Sequence, residues 1–167
     1  MRKVEVENQL DSLREYPQEL LQLTRDLSDT DMRHKEQPEE FSVLENICHL
    51  RDIEIEGYTA RINRILGEER PLLPDIDGRR LASERNYNSQ DPKEALQSFT
   101  NSRLRNIQVV SALSSEQLDR EGVLEKMGTV TLRKLLLMIR EHDQDHGEDI
   151  RKILARRSQA PGEAARA

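Results

Sequence analysis

The chain of 167 residues has no tryptophan, three tyrosines and two phenylalanines, too little ring area to build a core on stacked aromatics. Its single cysteine, Cys48, excludes an internal disulfide and fits a reducing compartment. No apolar run is long enough to cross a bilayer, and the opening MRKVEVENQL lacks the apolar segment of a signal peptide. A cytoplasmic protein without a membrane partner is therefore expected. Positive charge is also in short supply, with 26 Lys and Arg against 32 Asp and Glu and a net charge of −6. That balance offers no basic footprint for a phosphate backbone, so nucleic acid is not an expected partner.

What remains is 35% apolar and 35% charged, the mixture of amphipathic helices with well-solvated outer faces. The length suits one domain with a real core. Periodic apolar residues predict four helices. The first runs from about Val4 to Leu27, with Val6, Leu10, Leu13, Tyr16, Leu20, Leu23 and Leu27 inward and a kink expected at Pro17. The second opens at a capping box, Ser42 with Glu45, and runs to about Leu66, turning Leu44, Ile47, Ile55, Tyr58, Ile62 and Ile65 inward. Asp91-Pro92-Lys93-Glu94 opens the third, which carries Leu96, Phe99, Ile107, Val110 and Leu113 inward. Thr131 caps the fourth, which extends to about Leu154. Residues 1–155 are read as an all-α bundle domain and 156–167 as a flexible tail, with no strand predicted. The connection 67–90 is long for a compact domain, and long ordered loops are often functional.

The fourth helix poses the chemical question. In LRKLLLMIREHDQDHGEDIRKIL (132–154), His142 and His146 fall on the same stripe as Leu135 and Ile153. Two imidazoles one turn apart can present nitrogens to one ion, and His49 on the second helix borders the facing apolar sector. Three neutral imidazoles suit zinc, nickel or iron and leave a coordination position open, as catalytic sites do. Packed, hydrogen-bonded histidines in a metal-free bundle are the competing reading. The residue after His142 is Asp143 rather than the glutamate of the H-E-x-x-H metalloproteases, and paired Glu-x-x-His motifs of di-iron bundles are absent. Asp143 is read as an outer acceptor or a solvated residue, and His34 as a surface one.

Two charges fall on inward faces: Glu54 beside Ile47 and Tyr58, and Arg103 beside Phe99 and Val110. Either they form a buried ion pair between the second and third helices, or Arg103 receives a substrate carboxylate near the metal. Cys48 projects away from His49 and is read as core.

FSVLENICHLRDIE, RLASERNYNSQDPKEALQSF with Arg103, and GTVTLRKLLLMIREHDQDH together resemble the DinB-like superfamily, the DinB/YfiT-type metalloenzymes, over roughly residues 5 to 155. The resemblance implies a four-helix bundle with a long second connection, commonly homodimeric, holding nickel or zinc on three histidines that match His49, His142 and His146. It further implies an enzyme acting on a small molecule, with thiol S-transfer from a low-molecular-weight thiol as one family chemistry. Arg103, Glu54 and Tyr87 are the corresponding candidates for substrate binding. Asp149 departs from the glutamine that relatives often carry there. The rival reading is a non-catalytic metal-binding or stress-response module in which the metal only staples helices.

Overall fold

A computed structural model describes residues 3–159. Helix α1 (Lys3–Thr24) is continuous through Pro17 and buries Val6, Leu10, Leu13, Tyr16 and Leu20 at three- and four-residue steps. A single turn, α2 (Asp29–Arg33), follows. At the start of α3 (Val43–Asp52) the Ser42 hydroxyl accepts from the Glu45 N–H at 3.0 Å, and the Glu45 carboxylate accepts from the Ser42 N–H at 2.8 Å. Such a cap is worth about 1 kcal/mol. The rod continues through a π-helical stretch, Ile53–Thr59, into α4 (Ala60–Gly67).

The π stretch corrects one expected face. Its wider turns break the regular α-helical spacing on which the inner face was read. Ile55, expected inward, is 39% exposed, whereas Glu54 is 1% exposed. Glu54 is thus committed to the interior.

Beyond strand β1 (Leu72–Leu73), helix α5 (Gly78–Glu84) and a 3₁₀ turn at Tyr87–Ser89, α6 (Pro92–Ser111) starts where Asp91 accepts from the Glu94 N–H at 2.9 Å. A short α7 (Ser115–Leu118) precedes a hairpin of β2 (Glu121–Leu124) and β3 (Gly128–Thr131). These strands correct the expectation of none. β1 pairs parallel to β2, with Leu72 opposite Val123, and β2 pairs antiparallel to β3. Leu73, Leu124 and Val130 turn one face of this small sheet into the core, while strands of two to four residues are too short to show alternation in sequence.

The last helix, α8 (Leu132–Gln159), begins where the Thr131 hydroxyl accepts from the Lys134 N–H at 3.2 Å. It outlasts the predicted end at Leu154. Arg156 pairs with Glu36 and Glu40, and Arg157 with Asp31, so residues 156–159 are helical and tied to the segment around α2. The remainder of the expected tail lies outside the described residues.

Two apolar clusters fill the bundle. One gathers Leu10, Leu13, Ile62, Ile65, Leu132 and Leu135, and the other Leu20, Leu44, Ile47, Tyr87, Phe99 and Ile150. On α6 the buried Ser102, Arg103 and Asn106 fall between Phe99 and Ile107, and on α8 Asp143 falls between Ile139 and Ile150, which places a polar layer across the middle of the bundle.

Candidate metal centre

That layer has two tiers. The outer one is built by α3 and α8. His142 and His146 project from successive turns of α8, and α3 brings His49 against them. One ring nitrogen from each lies within 4.8 Å of the other two. His49 Nε2 and His142 Nε2 are 3.1 Å apart, and the His49–His146 and His142–His146 ring centroids are each separated by 4.6 Å.

Burial decides the charge of this cluster. Desolvation, with the neighbouring imidazoles adding to it, pushes His142 down to about 2 and His49 down to about 4, and burial also lowers His146. All three rings are therefore neutral at physiological pH, with lone pairs available to a cation. Neutral imidazoles are the donor set that zinc, nickel or ferrous iron accepts. Nε2 is the His49 nitrogen that faces the other rings, while Nδ1 is buried without a hydrogen-bond partner.

Space for His49 comes from a glycine. A Cβ built on Gly78, at the first turn of α5, would stand 2.2 Å from His49 Cε1 and 2.6 Å from Nδ1. Those separations are far inside van der Waals contact, so any side chain there must displace the ring. His146 is held differently: its Nδ1 lies 2.6 Å from Asn46 Oδ1, and Asn46 Nδ2 donates to the Ser42 carbonyl at 2.9 Å. The sequence reading passed over Asn46. Its position one turn before His49 on α3 is the signal that could have found it.

The inner tier is an ion-pair network. Arg103 donates to both oxygens of Asp143, at 2.6 and 2.9 Å, and to Glu54 at 2.9 Å. Its guanidinium lies 4.8 Å from the Phe99 ring centroid. Asn106 adds a donor to Glu54 at 2.8 Å and another to Thr59 at 2.8 Å. Burial raises the Asp143 carboxyl to about 6, with the guanidinium opposing. The side chains of Arg103, Glu54 and Asp143 are 2%, 1% and 4% exposed.

Glu54 and Arg103 form the buried ion pair of the first expectation, joined by Asp143, with Arg103 Nε left without a hydrogen-bond partner. Asp143 is the second anion of that network and is not solvated. Tyr87 is likewise fully buried and donates its hydroxyl to Asp52 at 2.7 Å, anchoring the 3₁₀ turn to α3. Cys48 is core, its thiol pushed up to about 11 by burial, and His34 is exposed.

Residues 12–150 match the family profile of the DinB superfamily. The chain belongs to the DinB superfamily. Among solved structures it superposes on YfiT from Bacillus subtilis with a TM-score of 0.88, at 20% sequence identity, covering 95% of this chain and 90% of that one. YfiT is described as a probable metal-dependent hydrolase with an unusual four-helix bundle topology. No curated protein matches the chain.

In this DinB-superfamily chain two of the three histidines, His49 and His146, line a cavity of about 790 Å³, whose wall also includes Phe41, Ile76 and Gly78. Residues 75–79 of the long connection form one side of it. Its mouth carries both signs of charge, among them Asp75, Asp149, Lys126, Lys152 and Arg156. Lys126 is paired with Asp75 at 2.6 Å and Lys152 with Asp149 at 3.4 Å. Arg103, Glu54 and Tyr87 are not part of this wall.

Proposed function

We propose that the protein is a metal-dependent enzyme acting on a small molecule in this cavity, and that it transfers a low-molecular-weight thiol to an electrophile. The observation carrying this reading is the meeting of three neutral imidazoles from two helices, two of which, His49 and His146, line a cavity large enough for a small-molecule ligand. His49, His142 and His146 would hold the ion, for which the resemblance to the family favours nickel or zinc. When bound, such an ion supplies Lewis acidity that lowers the pKa of a thiol or a water in its remaining position.

The protein's own groups do the rest. Burial keeps the three ligands unprotonated, and the Arg103 network fixes α6 and α8 against the rod that carries His49. Phe41 and Ile76 give apolar wall to the body of a substrate, while the paired charges at the mouth can receive polar ends. Hydrolysis is the second reading, favoured by Asp149: it stands three residues after His146, on the same face of α8 and on the cavity wall, where a carboxylate can serve as a general base.

The test uses protein purified without a histidine tag. About one equivalent of nickel or zinc should be bound or taken up. A chromogenic electrophile offered with a panel of thiols should then turn over only in the metal-loaded protein, and His146→Ala should abolish the activity. Hydrolysis of an ester and amide panel that drops in Asp149→Asn supports the second reading. Failure to take up either metal removes both. A metal that binds while every panel stays silent, with His146→Ala lowering only the melting temperature, favours the non-catalytic module.

A further inference from the structure

We infer that Asn46 is the positioning residue that selects the ring tautomer of His146 and thereby turns its Nε2 into a ligand. This rests on the metal-centre reading above. Asn46 is 1% exposed, and its two amide atoms have distinct neighbours: Nδ2 is 2.9 Å from the Ser42 carbonyl oxygen and Oδ1 is 2.6 Å from His146 Nδ1. A carbonyl oxygen only accepts, so the Asn46 atom facing Ser42 must be the NH₂ group. The atom facing His146 is then the amide oxygen, which also only accepts. His146 Nδ1 must therefore carry the proton, and Nε2 is left with the free lone pair.

The Ser42 carbonyl is itself fixed. It accepts from the Asn46 backbone N–H at 3.0 Å as well as from the side chain, and the capping box holds the Ser42 residue at the head of α3. The Ser42 hydroxyl further donates to Asn88 at 2.6 Å, joining this end of α3 to the 3₁₀ turn. Flipping the Asn46 amide would set its carbonyl against the Ser42 carbonyl, a repulsive contact in a buried place that holds the oxygen toward His146. The orientation of a ligand on α8 is thus decided by the N-cap of α3. Outer hydrogen bonds of this kind typically change metal affinity 10- to 100-fold when removed, on the order of one to two decades.

Two measurements test it on the full chain. Long-range ¹⁵N–¹H spectra of the metal-free protein should show His146 as the neutral tautomer protonated at Nδ1. Zinc affinity, read by competition with a chromophoric chelator, should fall about 10- to 100-fold in Asn46→Leu, with His146 becoming a mixture of tautomers. Asn46→Asp keeps the oxygen facing His146 Nδ1 while losing the donor to the Ser42 carbonyl, so it should destabilise the fold yet still show His146 protonated at Nδ1, a signature that a purely space-filling role does not produce. A native spectrum with His146 protonated at Nε2 overturns the inference, and so does a folded Asn46→Leu that binds zinc as tightly as the native chain. Should Asn46→Leu not fold, the native spectrum decides alone. Native protein that takes up no zinc overturns the metal-centre reading and this one together, which separates that failure from a defect in Asn46 alone.

Discussion

Removing Arg103 separates its structural role from a substrate-binding one. In Arg103→Met the Glu54 and Asp143 carboxylates lose their common partner while remaining enclosed, at 1% and 4% side-chain exposure. Breaking a buried pair by deleting one member costs about 3–5 kcal/mol, because the remaining charge is left uncompensated. For a chain of this size that corresponds to a fall in Tm of roughly 6–20 °C. Part of the loss is recoverable: replacing the whole network, as Glu54→Met, Arg103→Met and Asp143→Leu together, removes the stranded charges and should return the protein close to native stability. Urea unfolding of the metal-free protein, followed by far-ultraviolet circular dichroism, measures both variants. The reasoning is refuted if Arg103→Met costs less than about 1 kcal/mol, or if its main effect is a raised KM on an otherwise stable fold, the signature of a group that contacts substrate.

Two further outcomes are expected. Gly78→Ala forces the His49 ring from its place, since the added Cβ would stand 2.2 Å from Cε1. Metal affinity should drop at least about tenfold while the metal-free Tm stays near native; unchanged metal titration would contradict the close approach. The depressed histidines set a pH dependence for the metal-free protein. The unfolded chain protonates an imidazole near 6.5 while His49 in the fold resists until about 4, so the unfolded state binds more protons as pH falls through this window. Stability present above pH 6.5 is lost on acidification, with a slope approaching about 1.4 kcal/mol per pH unit for each imidazole. Comparing urea midpoints of the native chain and His142→Gln between pH 7 and pH 4 isolates the effect, and parallel curves would refute it.

The helices and the metal-ligand candidates were legible because their signals are local. Ser42 with Glu45 and Asp91 with Glu94 announce helix starts through side-chain chemistry that acts within one turn. The four-residue spacing of His142 and His146 states directly that both rings share a face of α8. What escaped depends on contacts distant in sequence. Asp143 lies about 100° around the helix from His142, a direction that reads as solvated until α8 is packed against both α1 and α3. Asn46 looks like an ordinary polar residue in a first turn until His146, a hundred residues later, is brought to its amide. The π stretch is invisible to any fixed helical period, which is why Ile55 was placed inside. The sheet is short because it closes one end of the bundle, and its Leu73, Leu124 and Val130 earn their place through packing on Ile65 and neighbours rather than through strand propensity.

X-ray absorption at the metal edge of the zinc- or nickel-loaded chain tests the central claim most directly. Three imidazole nitrogens at about 2.0–2.1 Å, with a further exchangeable light-atom ligand, are predicted, and one imidazole should vanish in each of His49→Ala, His142→Ala and His146→Ala. A metal that stays fully hydrated, or a shell that none of these three substitutions alters, would contradict it.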